Sequence, residues 1–206
     1  IVVIGEGEKT LHNIISSIAN STDLTAISGL ALRRGSKIIR TPLQPLNSKL
    51  DSLPFPLWTN FERNKYSDIY NILTARGCPY RCTFCDERVL WRKKYRRRKI
   101  SQILVELEQN MKLGIKKYRF CDSSLTTNRD LPSLCEIIKD NFSDLRWSSF
   151  SRIDELTPAL TVAMREVGCR VVFLGIESGS PNVLKNMKKG ITVKQIQERC
   201  RSIKDC

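Results

Sequence analysis

The chain has a single histidine, His12, among its 206 residues. Zinc is usually held by a full set of Cys and His ligands, so little is available here to complete a zinc centre. Long apolar runs are missing as well. Stretches such as Val171-Val172-Phe173-Leu174 fall far short of the roughly 20 residues that a membrane helix needs. No secretory signal opens the chain. Its eight cysteines therefore argue for a reducing, cytoplasmic setting and a metal site rather than a disulfide framework. Acidic residues are outnumbered, with 21 Asp+Glu against 35 Lys+Arg and a formal charge of +14. Charge of that sign suits phosphates, nucleic acid or anionic surfaces, but by itself says little about fold. An opening Met is absent and both ends read as cut, so we expect a piece of a longer protein. Apolar residues make up 41%, which points to a packed core rather than disorder.

What is present concentrates in one loop. Arg76-Gly77-Cys78-Pro79-Tyr80-Arg81-Cys82-Thr83-Phe84-Cys85 carries three cysteines at C-x3-C-x2-C spacing, with no fourth nearby. Thiolates are the normal ligands of iron–sulfur clusters, and three of them can hold a [4Fe–4S] cube while leaving one iron open. An open iron can bind and activate a small molecule, whereas a closed four-thiolate site mainly moves electrons. Zinc is the competing reading, and the lone histidine lies far off at position 12.

The rest of the chain alternates in pattern. Ile1–Ile4 reads as a buried strand and Gly5-Glu6-Gly7-Glu8 as a tight turn. Lys9–Ala19 reads as a helix with Leu11, Ile14, Ile15 and Ile18 on one face. Residues 20–67 are rich in proline, with a hairpin-like pair at 26–33 and 37–41 around Gly35, and read as a connector. Strands are then expected at 69–74, 118–121, 146–150 and 170–175, and helices at 100–113, 131–141, 158–167, 181–187 and 192–204. Thr157 with Pro158, and Thr192, are helix-start signals. Four strand–helix units in series imply a parallel sheet, open or closed as a barrel, with function on the loops after the strands. Cys78–Cys85, Asp122, Arg152 and Glu177 all fall on such loops.

The cysteine loop resembles the CxxxCxΦC signature of the radical SAM superfamily, with Phe84 as its aromatic residue. Further elements follow in the family's order. Phe120-Cys121-Asp122-Ser123-Ser124-Leu125-Thr126-Thr127-Asn128 resembles the FxDxxF/LxxN element, and Arg152-Ile153-Asp154 the R-x-D element. Leu174-Gly175-Ile176-Glu177-Ser178-Gly179-Ser180, with Lys189-Gly190-Ile191-Thr192, is similar to the GIESGS…KGiT stretch. The family's glycine-glycine-glutamate element is absent. Residues 2–11, with the connector, resemble the end of the cobalamin-binding domain that precedes the barrel in one class of the family.

The resemblance implies an α/β fold: the first four units of a partial (β/α)6 TIM-like barrel over residues 68–206, preceded by a connector at 23–67 and the tail of a Rossmann-like cobalamin-binding domain at 1–22. It implies a [4Fe–4S] cluster on Cys78, Cys82 and Cys85, with S-adenosylmethionine on the open iron and cleaved to a 5′-deoxyadenosyl radical. Phe84 would face the adenine. Asp122 would face the methionine part, Arg152 the carboxylate, and Glu177 and Ser178 the ribose. Gly5 and Gly7 would serve a cobalamin, whose own ligand motif would precede Ile1. An electron donor such as flavodoxin or ferredoxin and a small-molecule substrate are implied, with methylation or rearrangement as outcomes. No catalytic residue is assigned from the sequence.

The basic run Trp91–Lys99 invites a nucleic-acid reading, but the resembled class carries a basic segment at the same place, which tells against it. Two other functions stay open. A methylthiotransferase modifying tRNA or protein would need an N-terminal iron–sulfur domain, and no cysteine precedes Cys78. A non-catalytic iron–sulfur protein, a scaffold or sensor, would keep the cluster without the reaction.

Overall fold

A computed structural model describes residues 1–62, 65 and 70–204. The chain divides into two compact units, Ile1–Leu53 and Pro54–Cys206. In the first, strand β1 (Val2–Val3) pairs antiparallel with β2 (Leu30–Arg34), which pairs antiparallel with β3 (Lys37–Arg40). Helix α1 (Gly7–Ala19) brings Ile14 onto Ile27, Leu30 and Leu32 to make a small core. Two expectations change here. The hairpin does not belong to a connector beginning at residue 23, because β2 supplies the partner that β1 needs and the unit runs on to Leu53. The opening strand is not buried either: Ile1 and Val2 are exposed, as are Leu11, Ile15 and Ile18, so Ile14 alone carries the expected apolar face of α1 inward.

The second unit is built on a parallel sheet of β4 (Tyr70–Ile72), β7 (Lys117–Phe120), β8 (Arg146–Ser151) and β9 (Cys169–Leu174), in that spatial order. Sequential parallel neighbours joined by helices are the winding of a (β/α) barrel. Helices α3 (Ile100–Lys112), α4 (Leu131–Asn141) and α5 (Pro158–Glu166) make the crossovers. They bury Ile103, Leu107, Leu134, Ile138 and Met164 against Tyr70, Ile72, Tyr118, Phe120 and Trp147 of the sheet. The Trp147 indole donates to the Val167 carbonyl at 2.8 Å, so this large ring is buried without an orphaned N–H. Cys135 and Cys169 are core residues whose burial pushes their thiols up to about 12, which makes them inert. The expected first strand began at Ile69, which lies outside the described residues.

Local signals set the helix ends. The Thr157 hydroxyl accepts from the Leu160 N–H at 3.2 Å, and Pro158 occupies the first turn of α5. Thr192 and Gln195 cap each other reciprocally before α7 (Val193–Lys204): Gln195 N–H donates to the Thr192 hydroxyl at 3.2 Å and Thr192 N–H to Gln195 Oε1 at 2.8 Å.

Part of the basic run packs into the fold, while Arg92, Lys93, Lys94, Arg97 and Lys99 stay exposed. A short antiparallel pair, β5 (Ala75–Arg76) and β6 (Arg96–Arg97), clasps the base of the cysteine loop. Arg76 and Arg96 lie over the Trp91 ring, and Arg97 pairs with Asp130 at 2.7 Å. Arg98 turns inward to Glu106 at 2.6 Å and donates to the Leu73 carbonyl at 2.8 Å. Among the described residues no helix is long and apolar enough to cross a membrane.

Candidate functional site

Strands β4, β7, β8 and β9 all run the same way, so the loops after them gather at one end of the sheet. The cysteine loop leaves β5 through Gly77, at φ +94°. A Cβ there would sit 2.0 Å from the Lys94 carbonyl oxygen, so only glycine allows the loop to close against the basic run. Farther on, Thr83 N–H donates to the Met187 carbonyl at 2.9 Å, docking the loop on the end of α6 (Pro181–Asn186). Ser123 of the β7 loop hydrogen-bonds Glu87, which opens the short helix α2 (Glu87–Leu90) just past Cys85.

Cys82 is buried, and Cys78 and Cys85 are half-buried; all three are free thiols. They lie within electrostatic reach of one another. Burial is the main cause that raises the Cys78 thiol, and the Arg152 guanidinium pulls the other way. Burial likewise raises Cys85. Among the described residues, no three His, Cys, Asp or Glu side chains converge as ligands of a single metal ion.

Arg152, from the end of β8, reaches into the cysteine loop. It is buried, its guanidinium carbon lies 3.6 Å from the centre of the Tyr80 ring, and Nη2 donates to Asp154 at 3.0 Å and to the Lys189 carbonyl at 2.9 Å. Its Nε is buried with no hydrogen-bond partner among the described residues. A fixed guanidinium with an unused donor, within electrostatic reach of Cys78 and Cys82, fits an anionic group bound there. Together with the soft thiol set, this orphaned donor is what makes the residues fit an iron–sulfur cluster with an acidic ligand.

Phe84 is half exposed, with the Lys189 ammonium 5.6 Å from its ring centre. Glu177 takes a left-handed backbone, φ +67°, rare for a side-chain-bearing residue, and pairs with Lys189 Nζ at 2.9 Å. Ser178 accepts from the Ser180 N–H at 3.1 Å and so shapes the turn before α6. Asp122 lies on the same rim, but its carboxylate faces inward. It accepts from Thr74 N–H at 3.0 Å and the Thr74 hydroxyl at 2.6 Å, and from backbone N–H groups of Ala75 and itself. Asn128 supports Thr74 in turn at 2.8 Å. Burial raises the Asp122 carboxyl to about 6, opposed by these hydrogen bonds. Asp122 thus ties β7 to the strand end that leads into the cysteine loop. Gly5, at φ +92°, and Gly7, the first residue of α1, belong to the first unit, whereas the other eight expected site residues belong to the second.

Three residues to which the motif reading gave no role, Tyr80, Glu155 and Lys189, complete the rim. Glu155 accepts from the Tyr80 hydroxyl at 2.6 Å, from Ser124 at 3.2 Å and from Thr126 at 2.9 Å, and also bonds Thr127. Tyr80 and Glu155 thereby join the cysteine loop to the β7 and β8 loops. Lys189 is the third, a buried lysine. Its Lys-Gly setting was visible in the sequence, but its partners were not.

Residues 72–206 match the family model of the Radical SAM superfamily. The chain belongs to that superfamily. Over 98% of its length it is 31% identical to an uncharacterized methyltransferase of Pyrococcus horikoshii, covering 46% of that protein. Over 98% of its length it is 29% identical to the anaerobic magnesium-protoporphyrin IX monomethyl ester cyclase of Synechocystis sp., covering 42% of that enzyme. The chain therefore spans less than half the length of these relatives. Its fold is shared with the radical S-adenosylmethionine methyltransferase TsrM of Kitasatospora setae: TM-score 0.81, 21% identity, 98% of this chain and 43% of that one.

Proposed function

We propose that the protein is a radical S-adenosylmethionine enzyme whose Cys78, Cys82 and Cys85 hold a [4Fe–4S] cluster and whose substrate is a small molecule. The observation that supports this reading is the seating of the Arg152 guanidinium 3.6 Å from the centre of the Tyr80 ring of the cysteine loop, within electrostatic reach of Cys78 and with a buried Nε that has no partner among the described residues. When bound, the cluster supplies one electron that breaks the S–C5′ bond of S-adenosylmethionine and yields a 5′-deoxyadenosyl radical.

The chain's own residues place and shield the reactants. Arg152, immobilised by Asp154 and the Lys189 carbonyl, offers a fixed donor to the cofactor carboxylate. The exposed Phe84 ring offers a face to the adenine, and Glu177 an acceptor pair to the ribose. The Tyr80–Glu155 bond and the Asp122–Thr74 bonds hold the loop that carries the thiols. Cobalamin is a further cofactor on this reading, bound by a domain whose end is the unit Ile1–Leu53; methylation is then the favoured outcome, and flavodoxin or ferredoxin the electron source.

The test is anaerobic reconstitution of the full-length protein with iron and sulfide, followed by dithionite and S-adenosylmethionine. 5′-Deoxyadenosine should accumulate, and Cys82→Ala should lose both cluster absorbance and product. An intact cluster that yields no 5′-deoxyadenosine would leave the non-catalytic reading in its place.

A further inference from the structure

Three expected site residues converge on one residue, Lys189, to which the sequence reading assigned no role. Lys189 is buried to 6% exposure, and its Nζ pairs with Glu177 Oε1 at 2.9 Å. The same ammonium stands 5.6 Å from the centre of the Phe84 ring, and the residue's carbonyl accepts from Arg152 Nη2 at 2.9 Å. Gly175 makes room for the pair, since a Cβ there would lie 2.8 Å from Nζ and 3.0 Å from Glu177 Oε1. Among the described residues Glu177 makes no other side-chain bond, so Oε2 is left available.

We propose that Lys189 is a positioning residue that holds the Glu177 carboxylate as an acceptor for the vicinal hydroxyls of an adenosyl ribose. This rests on the reading of the site as an S-adenosylmethionine site. Two physical effects support it. A carboxylate on a long side chain samples many rotamers, and a buried ammonium at 2.9 Å fixes one of them. Pairing also offsets the Glu177 charge, so the carboxylate suits the hydroxyls of a neutral diol better than a second cation. The left-handed backbone at Glu177 is a local cost that the pair helps to hold in place.

The experiment uses the full-length, anaerobically reconstituted protein and measures binding of S-adenosylhomocysteine and of its 2′-deoxyribosyl analogue by calorimetry. In the unmodified protein the missing hydroxyl should weaken binding about tenfold or more, as loss of a hydrogen bond to a charged group does. Lys189→Met should weaken S-adenosylhomocysteine and bring the ratio below about threefold, while Lys189→Arg, which keeps the ion pair, should restore it. General loosening of the site would weaken both ligands alike and leave the ratio unchanged. A Lys189→Met ratio equal to that of the unmodified protein would overturn the proposal. Should that variant fail to fold, Lys189→Gln takes its place: a collapsed ratio supports the proposal and an unchanged one overturns it. If the unmodified protein binds neither ligand, the S-adenosylmethionine reading itself fails; if it binds both equally, only the role given to Glu177 and Lys189 fails.

Discussion

At the scale of single residues, the cysteine loop is held by contacts that are individually small and act on a few side chains. The Tyr80 hydroxyl donates to the Glu155 carboxylate at 2.6 Å while its ring carries the Arg152 guanidinium. Tyr80→Phe removes the hydroxyl and keeps the ring. It should cost about 1.5–3 kcal/mol, the worth of a hydrogen bond to a charged group, in urea denaturation of the cluster-free protein. Asp122 makes a prediction in pH. Its carboxyl is raised to about 6 by burial, above the 3.8 of an unburied aspartate. The folded state therefore binds more protons than the unfolded state between those values. Its contribution to stability is fully present below about 3.8 and is lost as pH rises through about 6. Asp122→Asn should flatten that part of the stability–pH profile, measured by thermal melts from pH 4 to 7. An unchanged slope would mean that another group is responsible.

At the scale of elements, ends and closures matter more than propensity. Helix α5 begins on a Thr157 cap, and Thr157→Ala should destabilise the second unit by about 1 kcal/mol, read from the denaturation midpoint. The β5–β6 clasp depends on Gly77, where a Cβ would meet the Lys94 carbonyl oxygen at 2.0 Å. A collision with backbone cannot be relieved by a side-chain shift. Gly77→Ala should therefore open the clasp and lower the iron and sulfide retained after reconstitution by more than half, measured against Thr157→Ala as a control of similar size. The basic run belongs to this scale too. Read as a string it suggests phosphate contacts, yet Arg96 lies on Trp91, Arg97 meets Asp130, and Arg98 is drawn inside by Glu106.

For the molecule as a whole, the two units have separate cores, and all three tryptophans, Trp58, Trp91 and Trp147, lie in the second. Tryptophan fluorescence therefore reports on the sheet that carries the site. Leu107→Ala, at a position with 0% exposure, should lower stability by about 2–5 kcal/mol in that signal. The sequence by itself determined the elements whose causes are local: the cysteine spacing, the 3.6-residue periods of α3 and α4, the threonine starts of α5 and α7, and the succession of strand and helix that makes the sheet parallel. It also placed Phe84, Arg152 and Glu177 on the loops after strands. Tertiary structure alone decided which way those side chains turn. Asp122 looks inward because Thr74, 48 residues earlier, supplies two donors. Tyr80 finds Glu155 across 75 residues, and Glu177 finds a lysine 12 residues on that a helix had to carry back. The apolar face expected for α1 came apart for the same reason, since only Ile14 meets the hairpin. Periodicity and spacing are written along the chain, whereas the partner of a buried charge is set by which loops the sheet brings to one rim.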